Sequence, residues 1–242
     1  MLTKAEIQLY RSLGDKRERD THRLFVAEGA KLVGEIVASP LRIVRLLTTS
    51  DFPNAEVIST KEMERISQLK TPTDTFAVVE KPLYNIGEAN PQNNLVLALD
   101  GVQNPGNVGT IIRLADWFGI SDIVCSADSA DCFNPKVVQA TMGAILRVRV
   151  HYTNLADYFK KLPVGTPIYG TFLEGENLYS AKVENRGIIV MGSEGRGVSA
   201  EVAKTITNKL FIPPYPADNH NSESLNVAIA TAIICAEFRR AK

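Results

Sequence analysis

The chain has 242 residues, enough for one large domain or two modest ones, and 45% hydrophobic with 22% charged residues excludes a disordered or fibrous protein. Lysine plus arginine and aspartate plus glutamate number 27 each, so the formal net charge is zero. Nucleic-acid binding by such a chain must use a local basic patch, since no global field favours it.

Apolar residues at helical spacing predict helices over Lys4–Leu13 and Glu28–Ala38. "LRIVRLLTT" reads as a strand, "STKEMERISQL" as a helix capped by Ser59 or Thr60, and "TFAVVE" as a second strand. Residues 1–80 therefore read as a small α/β domain. "EKPLYNIGEANPQNN" is rich in Pro, Asn and Gly and marks a linker, 81–94, before a second domain over 95–242. There strands and helices alternate: "LVLALD", a helix near Val108–Phe118, "SDIVCS", "NPKVVQATMGA", then "TPIYGTF", "GIIVMG" and "KLFIP", with helices near Ala200–Thr207 and Ser224–Arg239. Short continuous apolar runs suit strands buried on both faces. The alternation predicts a mostly parallel sheet with helices on both faces, whose ligands bind beyond the carboxyl ends of the strands.

Cys125, Cys132 and Cys235 lack C-x-x-C spacing and read as free thiols of a reducing cytoplasm. His22, His151 and His220 are scattered without H-E-x-x-H, so no metal is expected. "MLTKAEIQLYRSLGDKRER" has no signal-peptide core, and "LNVAIATAIICAEF" is too short to span a bilayer. Together these predict a cytoplasmic protein.

Three polar and glycine-rich clusters fall where ligands of a parallel sheet bind. The first holds Asn104, Gly106, Asn107, Gly109 and Arg113; its plain structural reading is a tight turn with Asn107 as helix cap and Arg113 solvated. Neither G-x-G-x-x-G nor a Walker motif is present, which counts against a dehydrogenase or a nucleoside triphosphatase. The second, "VMGSEGRGVS", places Glu194 and Arg196 among glycines that permit close backbone approach to a ligand; its plain reading is an exposed loop. In the third, Ser222, Ser224 and Asn226 open an apolar helix. A capping box with Glu223 explains some of these groups, but Asn226 reads as a buried amide in need of partners.

The order N-x-x-N-x-G-x-x-x-R, then V-x-G-x-E-G-x-G, then I-P followed by S-L-N-V, resembles the SpoU (TrmH) family of RNA ribose 2'-O-methyltransferases, of the SPOUT superfamily. The likeness runs from about Asn93 to Arg240, and "FVAEGAKLVGEI" resembles the small L30e-like substrate-binding domain of many members. The resemblance implies a C-terminal trefoil knot, S-adenosylmethionine as cofactor, an RNA substrate, a homodimer, and no metal or membrane. It implies a cofactor site of Gly192, Ile212 and Leu225, with Thr171, Leu173 and Met191 as further walls. It implies chemistry by Arg113, Asn107, Glu194, Ser224 and Asn226. Arginine is effectively always protonated, so Arg113 suits a clamp on phosphate and developing alkoxide better than a base. Two departures stand out: "PYPADNHNSE" carries neither the methionine nor the glycine usual in the third motif, and Gln139 stands where relatives often have arginine.

A separate recognition domain favours 23S ribosomal RNA over transfer RNA. The cluster Lys16, Arg17, Arg19 and Arg23 reads equally as a phosphate patch and as a solvated charged surface. An inactive RNA-binding protein acting in ribosome assembly is the alternative, and the presence of all the catalytic residue types argues against it.

Overall fold

Capped helices and buried strands build both parts of the molecule. The computed structural model describes residues 1–216 and 224–240. The chain divides into one unit of Met1–Leu83 with Asp131–Leu146, and another of Tyr84–Ala130 with Arg147–Lys242.

The first unit contains α1 (Lys4–Ser12), α2 (Lys16–His22), β1 (Leu24–Glu28), α3 (Ala30–Val37), β2 (Ile43–Thr48), β3 (Glu56–Val57), α4 (Thr60–Ile66) and β4 (Thr75–Glu80). Thr3 with Glu6 and Ser59 with Glu62 form capping boxes that satisfy the first amides of α1 and α4. The sheet order is β1-β4-β2-β3, with β4 antiparallel to both neighbours. Leu13, Val26, Leu47, Met63 and Phe76 fill its core.

Two elements here are invisible to hydrophobic periodicity. β1 runs directly into α3, so its apolar residues merge with the helical pattern. Gly29, at φ 97°, makes the break between them in a conformation that favours glycine. The helix expected from Glu28 starts at Ala30, and Glu28 instead ends β1, buried, accepting from Ser67 Oγ at 2.6 Å and the Gln68 amide at 2.7 Å. α2, "KRERDTH", has no apolar stripe at all, and its one buried residue is Arg19.

The second unit contains β5 (Leu95–Asp100), α5 (Pro105–Trp117) and β6 (Asp122–Cys125). After α6 (Pro135–Ala140), which belongs to the first unit, it continues through β7 (Arg149–Tyr152), α7 (Leu155–Lys160), β8 (Ile168–Asn177), β9 (Gly187–Gly192), α8 (Ala200–Ala203), β10 (Asn208–Phe211) and α9 (Val227–Arg239). All six strands are parallel, in the order β10-β8-β9-β5-β6-β7. β5 and β6 are buried along their whole length. Residues 217–223, among them His220, Ser222 and Glu223, lie outside the described residues.

One charged cluster sits at the outer end of this sheet. Asp122 opposes Arg149 in register and receives its guanidinium at 2.8 and 2.7 Å, with His151 Nε2 at 3.0 Å. Burial pushes the Asp122 carboxyl up, but the hydrogen bonds from His151 and Arg149 outweigh it and hold the carboxyl at about 2.

The excursion Asp131–Leu146 is a constituent of the first unit's core. Phe133 packs on Phe25 at 4.9 Å between ring centroids, and α6 lies against β1. Asp131 receives Arg19 Nε and Nη2 at 3.0 and 2.6 Å, while Arg19 Nη1 donates to the carbonyls of Leu13 and Gly14. Arg19 is 1% exposed, so it is withdrawn from any basic patch of its neighbours Lys16, Arg17 and Arg23, which are exposed. Removing one partner of a buried pair leaves an uncompensated charge. Asp131→Ala should therefore destabilise the first unit by about 3–5 kcal/mol. The double replacement Arg19→Met/Asp131→Leu should recover much of that loss, as read by urea denaturation.

Candidate active site

In an open parallel sheet the ligand crevice lies where the strand order reverses. Here that point is between β5 and β9. They pair in register from Leu95↔Gly187 to Asp100↔Gly192, so the turns that follow both strands leave the sheet side by side. The first cluster follows β5 and the second follows β9.

α5 begins earlier than the pattern suggested. Its cap is Asn104, whose Oδ1 accepts from the amides of Gly106 and Asn107, and Pro105 occupies the first helical position, where its missing N–H costs nothing. Asn107 is thereby released from capping, and its side chain joins two other clusters. Its Nδ2 donates to Glu194 Oε1 at 2.6 Å, and its Oδ1 accepts from Asn226 Nδ2 at 3.1 Å. Asn226 is not the buried amide expected from the sequence. It is exposed and caps α9, its Oδ1 accepting from the amides of Ala228 and Ile229. Each amide in this chain uses both its donor and its acceptor, so the orientation of all three side chains is fixed. The amino ends of α5 and α9 are joined through Asn107 and Asn226, and Glu194 accepts from the Asn107 end of this chain.

Glu194 rides on a tight hairpin, Ser193–Gly197, closed by Ser193 N to Gly197 O at 3.0 Å and Gly197 N to Ser193 O at 2.9 Å. This hairpin explains Gly192. A Cβ there would lie 2.2 Å from the Gly197 carbonyl carbon and 2.3 Å from the Val198 amide nitrogen. The absent side chain makes room for the protein's own backbone, a constraint that acts before any ligand arrives.

Arg113 is not part of the hydrogen-bonded chain. It is the ninth residue of α5, about 9 Å along the axis from Asn107 and on a different face. With Gly106, Thr110 and Trp117 it forms an exposed stripe, and it makes no hydrogen bond or ion pair among the described residues. Ser224 is exposed two residues before the α9 cap.

The residues expected to hold a cofactor lie on β8, β9 and the segments after β10. Leu173 and Leu225 are exposed and Ile212 is half-buried, a set of apolar walls that fits an adenine ring and a methionyl chain. Met191 is buried in the core and offers backbone only, and Thr171 spends its hydroxyl on the Val190 carbonyl at 3.0 Å. The β8–β10 register jumps here: consecutive Lys209 and Leu210 oppose Gly170 and Glu176, so Thr171–Gly175 bulges from the sheet.

Sequence reasoning missed two groups at this edge. Asp100, buried at the end of β5, accepts the Ser199 amide at 2.6 Å and ties down the chain leaving the hairpin. Ser126 and Asp128, after β6, contact the turn at Gly101 and the guanidinium of Arg196. The signal was present: an acid ending an apolar strand, and "SADS" just past the end of another. Among the described residues no group of His, Cys, Asp and Glu is placed to hold a metal ion, and no helix is long and apolar enough to cross a membrane.

Comparison with known proteins gives this geometry its chemistry. Residues 94–236 match the model of the SpoU rRNA Methylase family, and residues 4–77 match an MRM3-like substrate binding domain. The chain is 30% identical to the 23S rRNA (guanosine(2553)-2'-O)-methyltransferase RlmP of Bacillus subtilis, over 97% of this chain and 96% of that one. It superposes on a Porphyromonas gingivalis structure assigned to the TrmH family of RNA methyltransferases at TM-score 0.83, 43% identity and 99% coverage of both chains. It superposes on an AdoMet-bound rRNA methyltransferase from Sinorhizobium meliloti at TM-score 0.87, 29% identity, and 99% and 96% coverage. Fold and site thus define an RNA ribose 2'-O-methyltransferase that uses S-adenosylmethionine. Within that class, the chain belongs to the SpoU rRNA methylase family.

The double use of Asn226 separates stability from function. Asn226→Ala should lose about 1 kcal/mol with the cap, whereas Asn226→Ser keeps a capping oxygen and should melt within a degree or two of wild type. Both remove the donor to Asn107, so both should lose methyl transfer. Thermal unfolding beside a methyl-transfer assay checks the pair.

Proposed function

We propose that this enzyme methylates a ribose 2'-hydroxyl of 23S ribosomal RNA, acting as a homodimer, with Asn107, Arg113, Glu194, Ser224 and Asn226 at the reaction centre. The observation that carries the reading is the hydrogen-bonded chain Glu194–Asn107–Asn226 at the strand reversal. The 23S substrate of the Bacillus subtilis relative, which matches over nearly its full length, supports the choice of RNA.

S-adenosylmethionine, held by Gly192, Ile212, Leu225 and the wall Thr171, Leu173 and Met191, supplies an electrophilic methyl group on a sulfonium. Much of the catalysis can then be positioning. Glu194 accepts, and the two amides donate and accept, from fixed directions, so together they orient the ribose. Ser224, two residues ahead of the α9 cap, helps to hold the target nucleotide in this reading. Arg113 clamps the neighbouring phosphate and stabilises the negative charge that develops on the 2'-oxygen.

Arg113 is separated from the amide chain within one protomer, and its surroundings bear on this. It shares its exposed face of α5 with Trp117, 83% exposed, and α5 packs on α9, where Ile229 is half-exposed. A second copy docked on this apolar surface buries it and carries Arg113 into the interface. Trp117→Glu or Ile229→Asp should yield a monomer with greatly reduced activity, while a wild-type monomer at micromolar concentration in light scattering refutes the dimer.

Arg113→Ala should leave the fold and S-adenosylmethionine affinity intact and lower the methyl-transfer rate about a hundredfold to a thousandfold. Arg113→Lys should restore only part of this, since a point charge does not replace a bidentate fork. 23S RNA with 2'-deoxyribose at the target should accept no methyl group. Methylation persisting there would move the chemistry to the base and sink the reading.

A further inference from the structure

The hairpin that presents Glu194 carries a second charged side chain, and among the described residues that side chain has one weak engagement. Arg196 lies two residues beyond Glu194, its side chain 74% exposed. Its guanidinium meets Asp128 through a single long contact, Nη2 to Oδ2 at 3.4 Å. Exposed pairs of this kind contribute little to stability. Asp128 has a better partner already: Ser126 Oγ donates to its Oδ1 at 2.6 Å, and the same Ser126 oxygen accepts the Gly101 amide at 2.8 Å. Asp128 is thus fixed to the turn after β5, and Arg196 merely rests on it.

The position matters because of what surrounds it. Arg196 lies over that turn, where a Cβ on Gly101 would be 3.6 Å from its Nη2. This is the carboxyl edge of β5, β6 and β9, the edge that carries the Glu194–Asn107–Asn226 chain. The hairpin itself is held by its own backbone pair and, beyond it, by Asp100 on the Ser199 amide, so it does not need the Arg196 side chain to keep its shape. A protein of zero net charge must concentrate its attraction for RNA in a few local cations. A planar guanidinium with most of its donors open to solvent is suited to two phosphate oxygens at once.

We propose that Arg196 is a substrate-positioning residue: it binds an RNA phosphate flanking the target ribose, and Asp128 is the placeholder it leaves when RNA arrives. Exchange of a carboxylate for a phosphate partner conserves the charge pairing of Arg196 and fixes the register of the RNA without reading a base. Asp128 competes with the phosphate for the same guanidinium, so the two residues have opposite effects on RNA affinity. This inference rests on the RNA methyltransferase reading given above.

The test is steady-state methylation of unmethylated large-subunit ribosomal RNA, taken from a strain lacking this protein, at several salt concentrations. Arg196→Ala should raise KM for RNA about tenfold, with kcat within a factor of two and S-adenosylmethionine affinity unchanged. Its dependence of log KM on log salt should be shallower by about one counterion. Arg196→Lys should recover most of the salt dependence and part of the affinity. Asp128→Asn should leave KM for RNA unchanged or lower it. If the pair is only a latch for the hairpin, Arg196→Ala and Asp128→Asn will depress kcat alike at unchanged KM, and the proposal is wrong. It is equally wrong if Arg196→Ala matches wild type in KM and salt slope while wild type is active. No methyl transfer by the wild-type enzyme would instead remove the parent reading, and this one with it.

Discussion

The proposed active site depends on β5 and β9 being neighbours. Leu95–Asp100 and Gly187–Gly192 pair in register over six residues each, although some ninety residues of chain separate them. The pairing is secured by burial: β5 has no exposed residue, and Ile188, Ile189 and Val190 of β9 are fully buried. Continuous apolar runs of this kind are stable only between two other strands with both faces covered. A polar residue in the middle of either strand would therefore do more than weaken a core. It would separate Asn107 from Glu194.

The two helices that carry the remaining site residues are fixed by the same economy of polar groups. α5 and α9 pack on one another and are tied at both ends. At the amino ends, Asn226 caps its own helix and reaches Asn107. At the carboxyl ends, Arg239 donates to the carbonyls of Phe118 and Gly119, which the end of α5 leaves without helical partners. Groups that a helix terminus must satisfy anyway are thus the groups that register one helix against the other. The proposed catalytic geometry and the capping of α9 share one set of hydrogen bonds, which is why substitutions at Asn226 must be chosen to separate them.

The first unit shows a different constraint. Its sheet is small and its α2 helix almost wholly charged, yet it buries Arg19. That is tolerable only because Asp131 and two backbone carbonyls surround the guanidinium. Asp131 arrives from the middle of the second unit's sequence, with Phe133 and α6 behind it. A fragment that stops at Leu83 lacks all of these groups, and a fragment that begins near Asn93 carries them without their partners.

Much of this was legible in the amino-acid order. The buried runs "LVLALD", "SDIVCS" and "GIIVMG" announced a parallel sheet through local composition alone, and the polar clusters announced its ligand edge. Three motifs in order announced the family. α2 and β1 were not legible, because charge hides the first and the helix pattern of α3 absorbs the second. Nor could the order of residues say that Asn104 and not Asn107 caps α5, since both precede an apolar helix at a plausible distance. The sequence by itself determined which residue types stand at the strand ends, because burial periodicity and turn chemistry are local properties. Only the tertiary structure decided that Asn107 joins Glu194 to Asn226, that Arg113 faces away from them, and that Arg19 is spent on Asp131. Those facts depend on which strands pair, on where each helix begins, and on which buried charge finds a partner far along the chain.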